Sequence, residues 1–313
     1  MTSLGSQPRA IEARDETPHE HGGERGWIER LSFNFFDSTR GFGGIASLEY
    51  VPGDRKATGE VDIFLPGGAV ATALARGNDV KRSEMSVGRT SFTCDEPMKR
   101  WKIKCNDVAL VFPTAESASL SARTERAGKA AQLNLDLSFE AWTEPAGWAA
   151  RRTDVDDMKF ARIVSLGSFE QPGTFSGSIK VAGNEAQFSG GGFRQRTWGK
   201  VEPSQDDRWF SAAFGSDLCV SVARRTIDAG PSEHCRIYHN GVATGCRNDG
   251  VHIADGRFEM PLAEEHARHE LHGEIVSTIP PRSAEPDVFR SMTRFRLGAR
   301  EALGLVETRT LFL

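Results

Sequence analysis

The sequence lacks long apolar runs and an excess of either charge. Among its 313 residues 26% are charged, the net charge is −4, and the mean hydropathy is −0.42. Without a long apolar run we expect no transmembrane helix, and without clustered Lys and Arg we expect no nucleic-acid partner. The opening residues, MTSLGSQPRAIEARDE, also lack the apolar segment of a secretory signal. The sequence therefore predicts a soluble, cytoplasmic protein.

Closely spaced cysteines are missing as well. The number of cysteines is five, which is odd, and no two of them form a CxxC pair. Zinc ribbons and redox motifs need that spacing, so we expect reduced thiols that serve as small apolar core residues. Two of them, Cys94 and Cys105, are placed to face each other on neighbouring strands. The cysteines are Cys94, Cys105, Cys219, Cys235 and Cys246.

Sequence motifs for common cofactors and nucleophiles are absent. There is no GxSxG, P-loop or HExxH, and the glycines of residues 41–44 are not followed by a helix and a parallel strand. His266, His269 and His272 alternate between faces of the strand expected there, and His19 with His21 offers two imidazoles, too few for a closed site. We therefore predict no metal and no cofactor.

Short alternating runs bounded by Gly, Pro, Asn and Asp indicate a mostly β fold. Residues 27–36, WIERLSFNFF, are the first such run, and helical periodicity is weak and confined to residues 153–165 and 263–270. The strands are too numerous for one small barrel, and large twisted sheets close or split. We therefore predict two antiparallel β-barrel or sandwich domains side by side.

Composition predicts the domain limits. Polar residues 1–24 resemble a mobile arm that docks late if at all. We expect an N-terminal domain over residues 25–182 and a C-terminal domain over residues 183–313, with the boundary near Gly183. Residues 143–157, TEPAGWAARRTDVDD, break the alternation and are the candidate crossover between domains.

Residues 190–217, GGGFRQRTWGKVEPSQDDRWFSAAFGSD, combine three consecutive glycines with charges and indoles. The glycines allow a positive φ or a close backbone approach. Charges are seldom buried unless they are paired, so we predict that this stretch lines a pocket. The alternative is an ionic network that closes a barrel end, with the tryptophans as lid packing. The side chains concerned are Arg194, Arg196, Trp198, Asp206, Asp207, Arg208 and Trp209.

Proton transfer is the chemistry that these residues favour. A pocket that excludes water raises the pKa of a carboxylate and a neighbouring arginine lowers it, so Asp206, Asp207 and Arg208 together suit a general acid or base. Trp198 and Trp209 suit the confinement of an apolar or aromatic substrate, or else serve as core anchors.

Three further positions are weaker candidates for the site. Asp37 ends the first strand beside Arg40, and Tyr238 precedes His239; a turn cap or a surface pair is the alternative for each. His19 is a candidate for a lid over the pocket, with a solvated arm as its alternative.

Residues 169–199, FEQPGTFSGSIKVAGNEAQFSGGGFRQRTWG, resemble the junction segment of tandem lipocalin-like proteins related to carotenoid 1,2-hydratases of the hydroxyneurosporene synthase type. The opening WIERLSFNFFDSTRGFGG resembles that family's first strand and turn. The resemblance implies two lipocalin-like domains and draws attention to Glu170 in the Glu-Gln-x-Gly turn. Gln195 and Arg196 replace an Asp and a His of the family, so the pair that would protonate an alkene is missing there.

Two functions follow from the sequence. One is a cofactor-independent lyase, hydratase or isomerase acting on a hydrophobic or aromatic small molecule, with Arg194 and Arg196 stabilising an oxyanion or phenolate. The other is a carrier that holds such a molecule unchanged. The sequence leaves a homodimer open. The catalytic candidates are Arg194, Arg196, Asp207, Asp37 and Glu170, and the substrate-binding candidates are Trp198, Trp209, Arg208, Tyr238 and His19.

Overall fold

Antiparallel strands in two sheets make up most of the protein. This confirms the predicted mostly β fold with two lipocalin-like domains. In the described part of the chain, no helix has the length and apolar character needed to cross a bilayer. The computed structural model describes residues 10–19, 26–78, 85–113, 128–147, 167–200, 206–227, 230–279 and 288–309.

The first sheet closes into a barrel. Strand β4 pairs with β3 on one side and with the end of β7 on the other, so β1 to β4, β7, β8, β10 and β11 form a ring within the described residues. β5 and β6 extend the sheet beside β7, and β9 pairs with β10. The strands are β1 (Trp27–Asp37), β2 (Phe42–Val51), β3 (Lys56–Phe64), β4 (Val70–Gly77), β5 (Met85–Val87), β6 (Thr90–Glu96), β7 (Arg100–Phe112), β8 (Lys129–Ala141), β9 (Ala146–Gly147), β10 (Gly167–Val181) and β11 (Asn184–Lys200).

Aromatic side chains fill the interior of this barrel. Leu31, Phe33 and Phe35 occupy alternate positions of β1 and belong to one apolar cluster, as expected for one face of a strand. The ring of Phe33 lies 5.7 Å from that of Phe92 and 6.0 Å from that of Trp101, centroid to centroid. The inside of the first barrel is therefore a packed core.

The second sheet curls around its own apolar core, and we call it the second barrel although no pairing among its described strands closes it. Its order is β15-β14-β13-β12-β21-β20-β19-β18-β16, and β17 pairs with β18. The seam of this sheet lies between β14–β15 at one end and β16–β18 at the other. The strands are β12 (Asp206–Gly215), β13 (Leu218–Ile227), β14 (Gly230–His239), β15 (Val242–Gly245), β16 (Arg247–Asn248), β17 (His252–Ala254), β18 (Arg257–Ala263), β19 (Arg268–Ile279), β20 (Phe289–Leu297) and β21 (Arg300–Thr308).

A disulfide crosses the start of this seam. Cys235 of β14 is bonded to Cys246, which connects β15 to β16, with their Cα atoms 5.0 Å apart. The expectation that all cysteines are reduced is therefore wrong for this pair. Cys235 and Cys246 are 11 positions apart, which is not the CxxC spacing, and the pairing of β14 with β15 brings them together. The expectation that Cys94 and Cys105 face each other is also wrong. Cys94 lies opposite Trp101, and Cys105 lies opposite Thr90.

The two sheets divide the chain between Lys200 and Asp206. The predicted boundary at Gly183 falls instead in the tight turn of the β10–β11 hairpin, where Gly183 has φ +86°. A glycine there serves the turn rather than a linker. Of the predicted crossover, residues 148–157 lie outside the described residues, as does the weak helical signal of residues 153–165. Residues 263–270 form no helix: β18 ends in them and β19 begins.

Residues 10–19 of the N-terminal arm are docked on the first barrel, which corrects the expectation of a mobile segment for this part. These residues contain one 3₁₀ turn at Ala13–Glu16. Asp15 and Glu16 are 0% and 3% exposed. Two acidic side chains are buried this deeply only when partners compensate their lost hydration.

Apolar packing and buried polar bonds join the two sheets. Phe36, Phe64 and Phe193 of the first sheet pack with Met292 and Leu305 of the second in one cluster. Among the cross-sheet polar bonds are those from Asn34 Nδ2 to Ser211 Oγ at 3.3 Å, and from Arg290 Nη1 to Glu60 Oε2 at 2.7 Å and to Asp62 Oδ2 at 3.1 Å. The domains are held together by both kinds of contact.

The triple glycine allows β11 to lie unusually close to β1. A Cβ on Gly192 would lie 1.9 Å from the carbonyl oxygen of Asn34, and one on Gly190 would lie 2.1 Å from that of Phe36. Both neighbours are backbone atoms of β1, so they cannot turn away as a flexible side chain would. These glycines are needed for close approach.

We expect Gly192→Ala to destabilise the protein by about 1–3 kcal/mol or more, because the added methyl group overpacks against fixed backbone. Denaturant unfolding measures this. Gly245→Ala in β15 is the matched control, since nothing lies within 4 Å of its built Cβ. Equal stability of the two variants would show that the close approach of β11 to β1 is unimportant.

Candidate functional site

Strand β11 sends alternate side chains to two different places. Arg194, Arg196 and Trp198 point into the end of the first barrel, where all three are buried. Gln195 and Thr197 face the other way and line a cleft between the two sheets. The candidates that the sequence analysis placed in one pocket are therefore divided by the two-residue period of the strand.

Arg194 joins the docked arm to the barrel interior. Its Nη1 lies 2.6 Å from Glu16 Oε2, and its Nη2 donates a hydrogen bond to Gln171 Oε1. The guanidinium carbon also lies 4.9 Å from the centre of the Phe169 ring, within the range of a cation–π contact. Glu16 in turn accepts a hydrogen bond from the backbone N–H of Met98 at 2.6 Å.

Arg196 forms the second half of this arrangement. It pairs with Glu29 of β1 and donates hydrogen bonds to the backbone oxygens of Asp15 and Thr17 at 3.3 and 3.2 Å. His19 lies over Trp198 with 4.3 Å between ring centres, and its two ring nitrogens contact Glu29 and Asp15. We call Asp15, Glu16, His19, Glu29, Arg194 and Arg196 the barrel-end cluster.

Electrostatics in this cluster favour the ionised carboxylate of Glu29. Burial alone raises the pKa of Glu29, but the hydrogen bond from His19 and the charge of Arg196 outweigh it and hold the pKa below its ordinary value. Burial lowers the pKa of Arg196 below its ordinary value, although the charge of Glu29 acts to raise it.

The geometry of the barrel-end cluster agrees with the alternative interpretation of the sequence, an ionic network that closes a barrel end. The two arginines are 0% exposed, and their described partners are the arm and the barrel wall. The sequence analysis assigned catalytic roles to Arg194 and Arg196 and substrate-binding roles to Trp198 and His19, and these roles stay predictions. They require the arm to move away from the barrel end, so that a substrate can reach these side chains.

A cleft of about 770 Å³ lies between the sheets. Asp207, Arg208 and Trp209 of β12 are among its lining residues, so three of the sequence candidates border one cavity. The strand period places the side chains of Asp207 and Trp209 on one face and that of Arg208 on the other, in phase with Phe210 of the second sheet's core. Residues of β1, β2, β3, β4 and β11 form the opposite wall. The cationic residues that border the cleft are Arg30, Lys56, Arg76, Arg208, Arg224, Arg225 and Arg309, and the acidic ones are Glu49, Asp207 and Glu307.

Each of these three acidic groups has an arginine within ion-pair distance. Asp207 is held between two guanidinium groups, with Oδ1 3.1 Å from Arg225 Nε and Oδ2 3.0 Å from Arg309 Nε. Glu49 lies 3.2 Å from Arg30, and Glu307 lies 3.4 Å from Arg290. Cations outnumber acids along this cleft, in contrast to the net charge of the whole chain.

A buried hydrogen-bond chain runs from the cleft wall into the interface. Trp209 Nε1 donates to Ser221 Oγ at 3.1 Å, and Ser221 Oγ donates to Glu170 Oε2 at 2.8 Å. Tyr238 Oη donates to Glu170 Oε1 at 2.7 Å. Burial, and then the charge of Glu170, raise the pKa of Tyr238 well above its ordinary value, so the phenol stays a donor. Glu170 and Tyr238, predicted separately, meet here behind Trp209.

Asp37 lies apart from both places. Its Oδ1 accepts hydrogen bonds from the backbone N–H groups of Thr39 and Arg40, each at 3.0 Å, which makes it a cap of the β1–β2 turn. This is the alternative that the sequence analysis gave for it.

The sequence analysis missed Glu16, Glu29, Ser221, Arg225 and Arg309. A signal existed for Glu29, because it lies in phase with Leu31, Phe33 and Phe35 on the inward face of β1. An acid on an apolar face predicts a buried cationic partner. Arg225 lies opposite Asp207 in the β12–β13 hairpin, whose register the alternation alone does not fix. Glu16, Ser221 and Arg309 are brought in from the arm or by contacts distant in sequence, which local pattern does not show.

Comparisons with known proteins agree with the fold. The profile of a family described as "Domain of unknown function (DUF7064)" matches residues 12–311. No curated protein matches the sequence. The similar solved structures confirm the predicted resemblance to lipocalin-like proteins of the hydratase-related kind at the level of the fold.

Three solved structures illustrate this likeness. A protein assigned as AttH from Nitrosomonas europaea superposes with a TM-score of 0.63 at 10% identity, over 97% of this chain and 98% of its own. Kievitone hydratase from Nectria haematococca gives 0.60 at 10% identity, over 96% of each chain. CghA, crystallised with Sch210972, gives 0.54 at 9% identity, over 90% of this chain and 87% of its own.

We expect Arg196→Ala to destabilise the protein by about 3–5 kcal/mol, because it leaves the carboxylate of Glu29 buried without its cation. Denaturant unfolding measures the loss. Arg257→Ala is the control: Arg257 pairs with Glu274 at 3.2 Å on the exposed surface, and such pairs contribute at most about 1 kcal/mol. Similar losses in both variants would contradict the structural role of Arg196.

The pKa of Glu29 also predicts a pH dependence. Its folded-state pKa lies below the ordinary value, so its contribution to stability is complete above that value and is lost as the pH falls through the folded-state pKa. Between about pH 6 and about pH 3 the wild type should lose more unfolding free energy than Glu29→Gln, which cannot titrate there. Parallel pH profiles of the two proteins would contradict this.

Proposed function

Since the chain belongs to the DUF7064 family, whose function is unknown, its activity has to be inferred from the site, and we propose that it is a cofactor-independent enzyme of the lyase, hydratase or isomerase type. Its substrate is a small molecule with an apolar or aromatic body that binds in the cleft between the sheets. The observation that carries this proposal is the cleft itself, in which Asp207 is fixed between Arg225 and Arg309 on the strand that also carries Trp209.

The size and walls of the cleft suit such a substrate. About 770 Å³ lies within the range of small-molecule sites, which is about 300–1,000 Å³. The indole of Trp209 offers a flat apolar surface, and the cationic side chains around it favour a substrate that carries or develops negative charge.

The chemistry requires a proton acceptor beside groups that stabilise an anion. The carboxylate of Asp207 is the acceptor that the cleft offers on β12, and the guanidinium groups of Arg225 and Arg309 hold it in one orientation. Arginine is a poor acid at neutral pH, so the arginines of the cleft stabilise an enolate or phenolate and supply no proton. The proton that Asp207 accepts returns from the same carboxyl group to the product or to the leaving hydroxide, which leaves the carboxylate as it began. Such a general base contributes typically about 10²–10⁴ in rate.

Glu170, Ser221 and Tyr238 act as positioning residues in this proposal. They lie behind the cleft wall, and Ser221 accepts the indole N–H of Trp209. The hydrogen bond fixes the plane of the ring, so these residues orient the surface on which the substrate lies.

The likeness to kievitone hydratase agrees with this class of reaction, since the name of that protein describes a hydratase. At 10% identity the likeness concerns the fold, and one fold hosts many functions. The support for an enzyme therefore comes from the residues of the cleft. An ion pair that buries the guanidinium group of Arg225 is also an unnecessary desolvation cost in a passive apolar carrier.

A carrier is the second candidate, and one observation favours it. Every acidic side chain described along the cleft is within ion-pair distance of an arginine. A carboxylate that is occupied in this way is less available to abstract a proton. In this alternative the ionic groups serve to bind the polar end of an unmodified ligand.

Turnover and binding can be separated in one experiment. We expect the purified protein, incubated with a panel of aromatic and apolar alkenes, phenols and enolisable ketones, to convert at least one compound to a product with one water gained or lost, or to an isomer of equal mass. Liquid chromatography with mass spectrometry detects all three outcomes. Asp207→Asn should lower turnover by about 10²-fold or more while the ligand still binds.

Trp209→Ala tests the place of binding, because it should weaken the binding of the same compound by at least about tenfold. Arg257→Ala, on the exposed surface away from the cleft lining, should change neither turnover nor binding. Tight binding without conversion of any compound would favour the carrier. Turnover that survives both Asp207→Asn and Trp209→Ala would overturn the proposal.

A further inference from the structure

Two histidines and a glutamate meet at one end of the second barrel, away from the cleft lining. His239 ends β14, Glu264 follows β18, and His269 is the second residue of β19. Their donor atoms all lie within 4.8 Å of one another. The Nε2 atoms of His239 and His269 lie 3.1 and 2.9 Å from the same oxygen, Oε2 of Glu264.

We propose that His239, Glu264 and His269 form a site for one Zn²⁺ ion that fastens the seam of the second barrel. Neutral imidazole nitrogens with one carboxylate oxygen are a donor set that zinc takes in proteins, and three protein ligands leave a fourth position for water. The chemical class of the ligand is therefore a borderline divalent metal ion, with zinc as the expected occupant.

The distances are close to what this ion needs. With bonds of about 2.0–2.1 Å, two ligands of a tetrahedral zinc ion lie about 3.3–3.4 Å apart. The two N–O distances of the cluster, 2.9 and 3.1 Å, differ from this by less than half an ångström. Small rotations of side chains on the existing backbone are enough to admit the ion.

The backbone places all three side chains on the inner face of the barrel. His239 continues the inward row of Cys235 and Ile237, which belong to the core of the second sheet. Glu264 follows Leu262 by two positions, and His269 precedes Leu271 by two, and both leucines belong to the same core. A row of alternate positions on a strand shares one face. The three side chains of the proposed zinc site therefore lie next to the apolar core, at one end of the second barrel.

Two hairpins fix this position. His239 pairs with Val242 where β14 turns into β15, and Glu264 N–H donates to the carbonyl oxygen of Ala267 at 2.9 Å in the turn from β18 to β19. These hairpins come from opposite sides of the seam, because β14 and β18 lie near opposite ends of the strand order. A shared ion would link the two ends at a point that no strand pairing in the described sheet joins.

The zinc proposal departs from the expectation of no metal, which considered only histidines near one another in sequence. His266, His269 and His272 are near in sequence, but His272 points to the outer face of β19, where it lies 3.7 Å from Glu259 and 3.5 Å from Glu270. His266 is 87% exposed. The histidine that lies near His269 is His239, which is distant in sequence. Their proximity could therefore be recognised only from the arrangement of strands at the seam.

Zinc titration of the full chain tests the proposal. The protein is treated with a chelator, desalted and titrated with zinc chloride without reductant, by calorimetry. We expect one zinc ion per chain, a melting temperature that rises with zinc, and, with cobalt(II) as a probe, the visible absorption of a tetrahedral site. His239→Ala and His269→Ala should abolish stoichiometric binding and the rise in melting temperature.

His272→Ala is the matched control, because it removes a histidine with acidic neighbours from the other face of the same strand. It should bind zinc as the wild type does. Replacement of both Cys235 and Cys246 by Ser should also leave binding intact. This excludes thiolates released from the disulfide as the true ligands.

Three results would overturn the proposal. They are the lack of stoichiometric zinc binding by the wild type, equal binding by His269→Ala, and loss of binding in the double cysteine variant. Circular dichroism checks that each variant is folded. If a histidine variant is unfolded, Glu264→Gln replaces it, since it keeps the shape of the side chain and removes the charged ligand.

Discussion

The two-residue period of strand β11 is the constraint on which the arrangement of this protein depends. Arg194 and Arg196 must face the barrel interior if Gln195 and Thr197 face the second sheet, because neighbouring side chains on a strand point to opposite sides. The interior then contains two guanidinium groups in an otherwise aromatic core. Glu29 from β1 and the acidic turn of the arm supply the opposite charges that make this burial tolerable.

One consequence for function is that the described residues of the first barrel fill its interior and leave no open cavity there. Aromatic side chains fill its interior and the barrel-end cluster covers its end. The described cleft of about 770 Å³ lies between the sheets instead. Buried ion pairs contribute little net stability compared with apolar packing, but breaking one is costly. The barrel-end cluster therefore fixes where the arm lies more than it adds to the stability of the fold.

The fold class could be predicted from the sequence, because strand alternation and turn residues are local signals. Residues 27–36 are an example, since their pattern alone indicates a strand with Phe33 and Phe35 on one face. The site could be predicted in part. Asp207, Arg208 and Trp209 border one cavity, and they are consecutive, so their proximity required no knowledge of tertiary structure. Their roles stay predictions.

What could not be predicted depends on pairing between distant strands. Nothing near Arg196 in the sequence indicates that the arm supplies its neighbours from more than 170 positions away. The same is true of Glu170, which meets Ser221 and Tyr238 of the other sheet. Cys235 and Cys246 are separated by only 11 positions, yet their pairing follows from a hairpin whose register a pattern of alternation does not fix.

The interface between the sheets has a further effect on the cleft. Arg290 bonds to Glu60 and Asp62 across it, and Glu170 accepts two hydrogen bonds from the opposite sheet. Burial lowers the pKa of Arg290, but Glu60, Glu307 and Asp62 outweigh it and raise the pKa well above its ordinary value. The arginine therefore keeps its charge.

Because these contacts hold the two walls at a fixed separation, the groups that face the cleft are already oriented before a ligand arrives. In the reaction that we propose, preorganised charges of this kind would stabilise a developing anion without the cost of rearrangement.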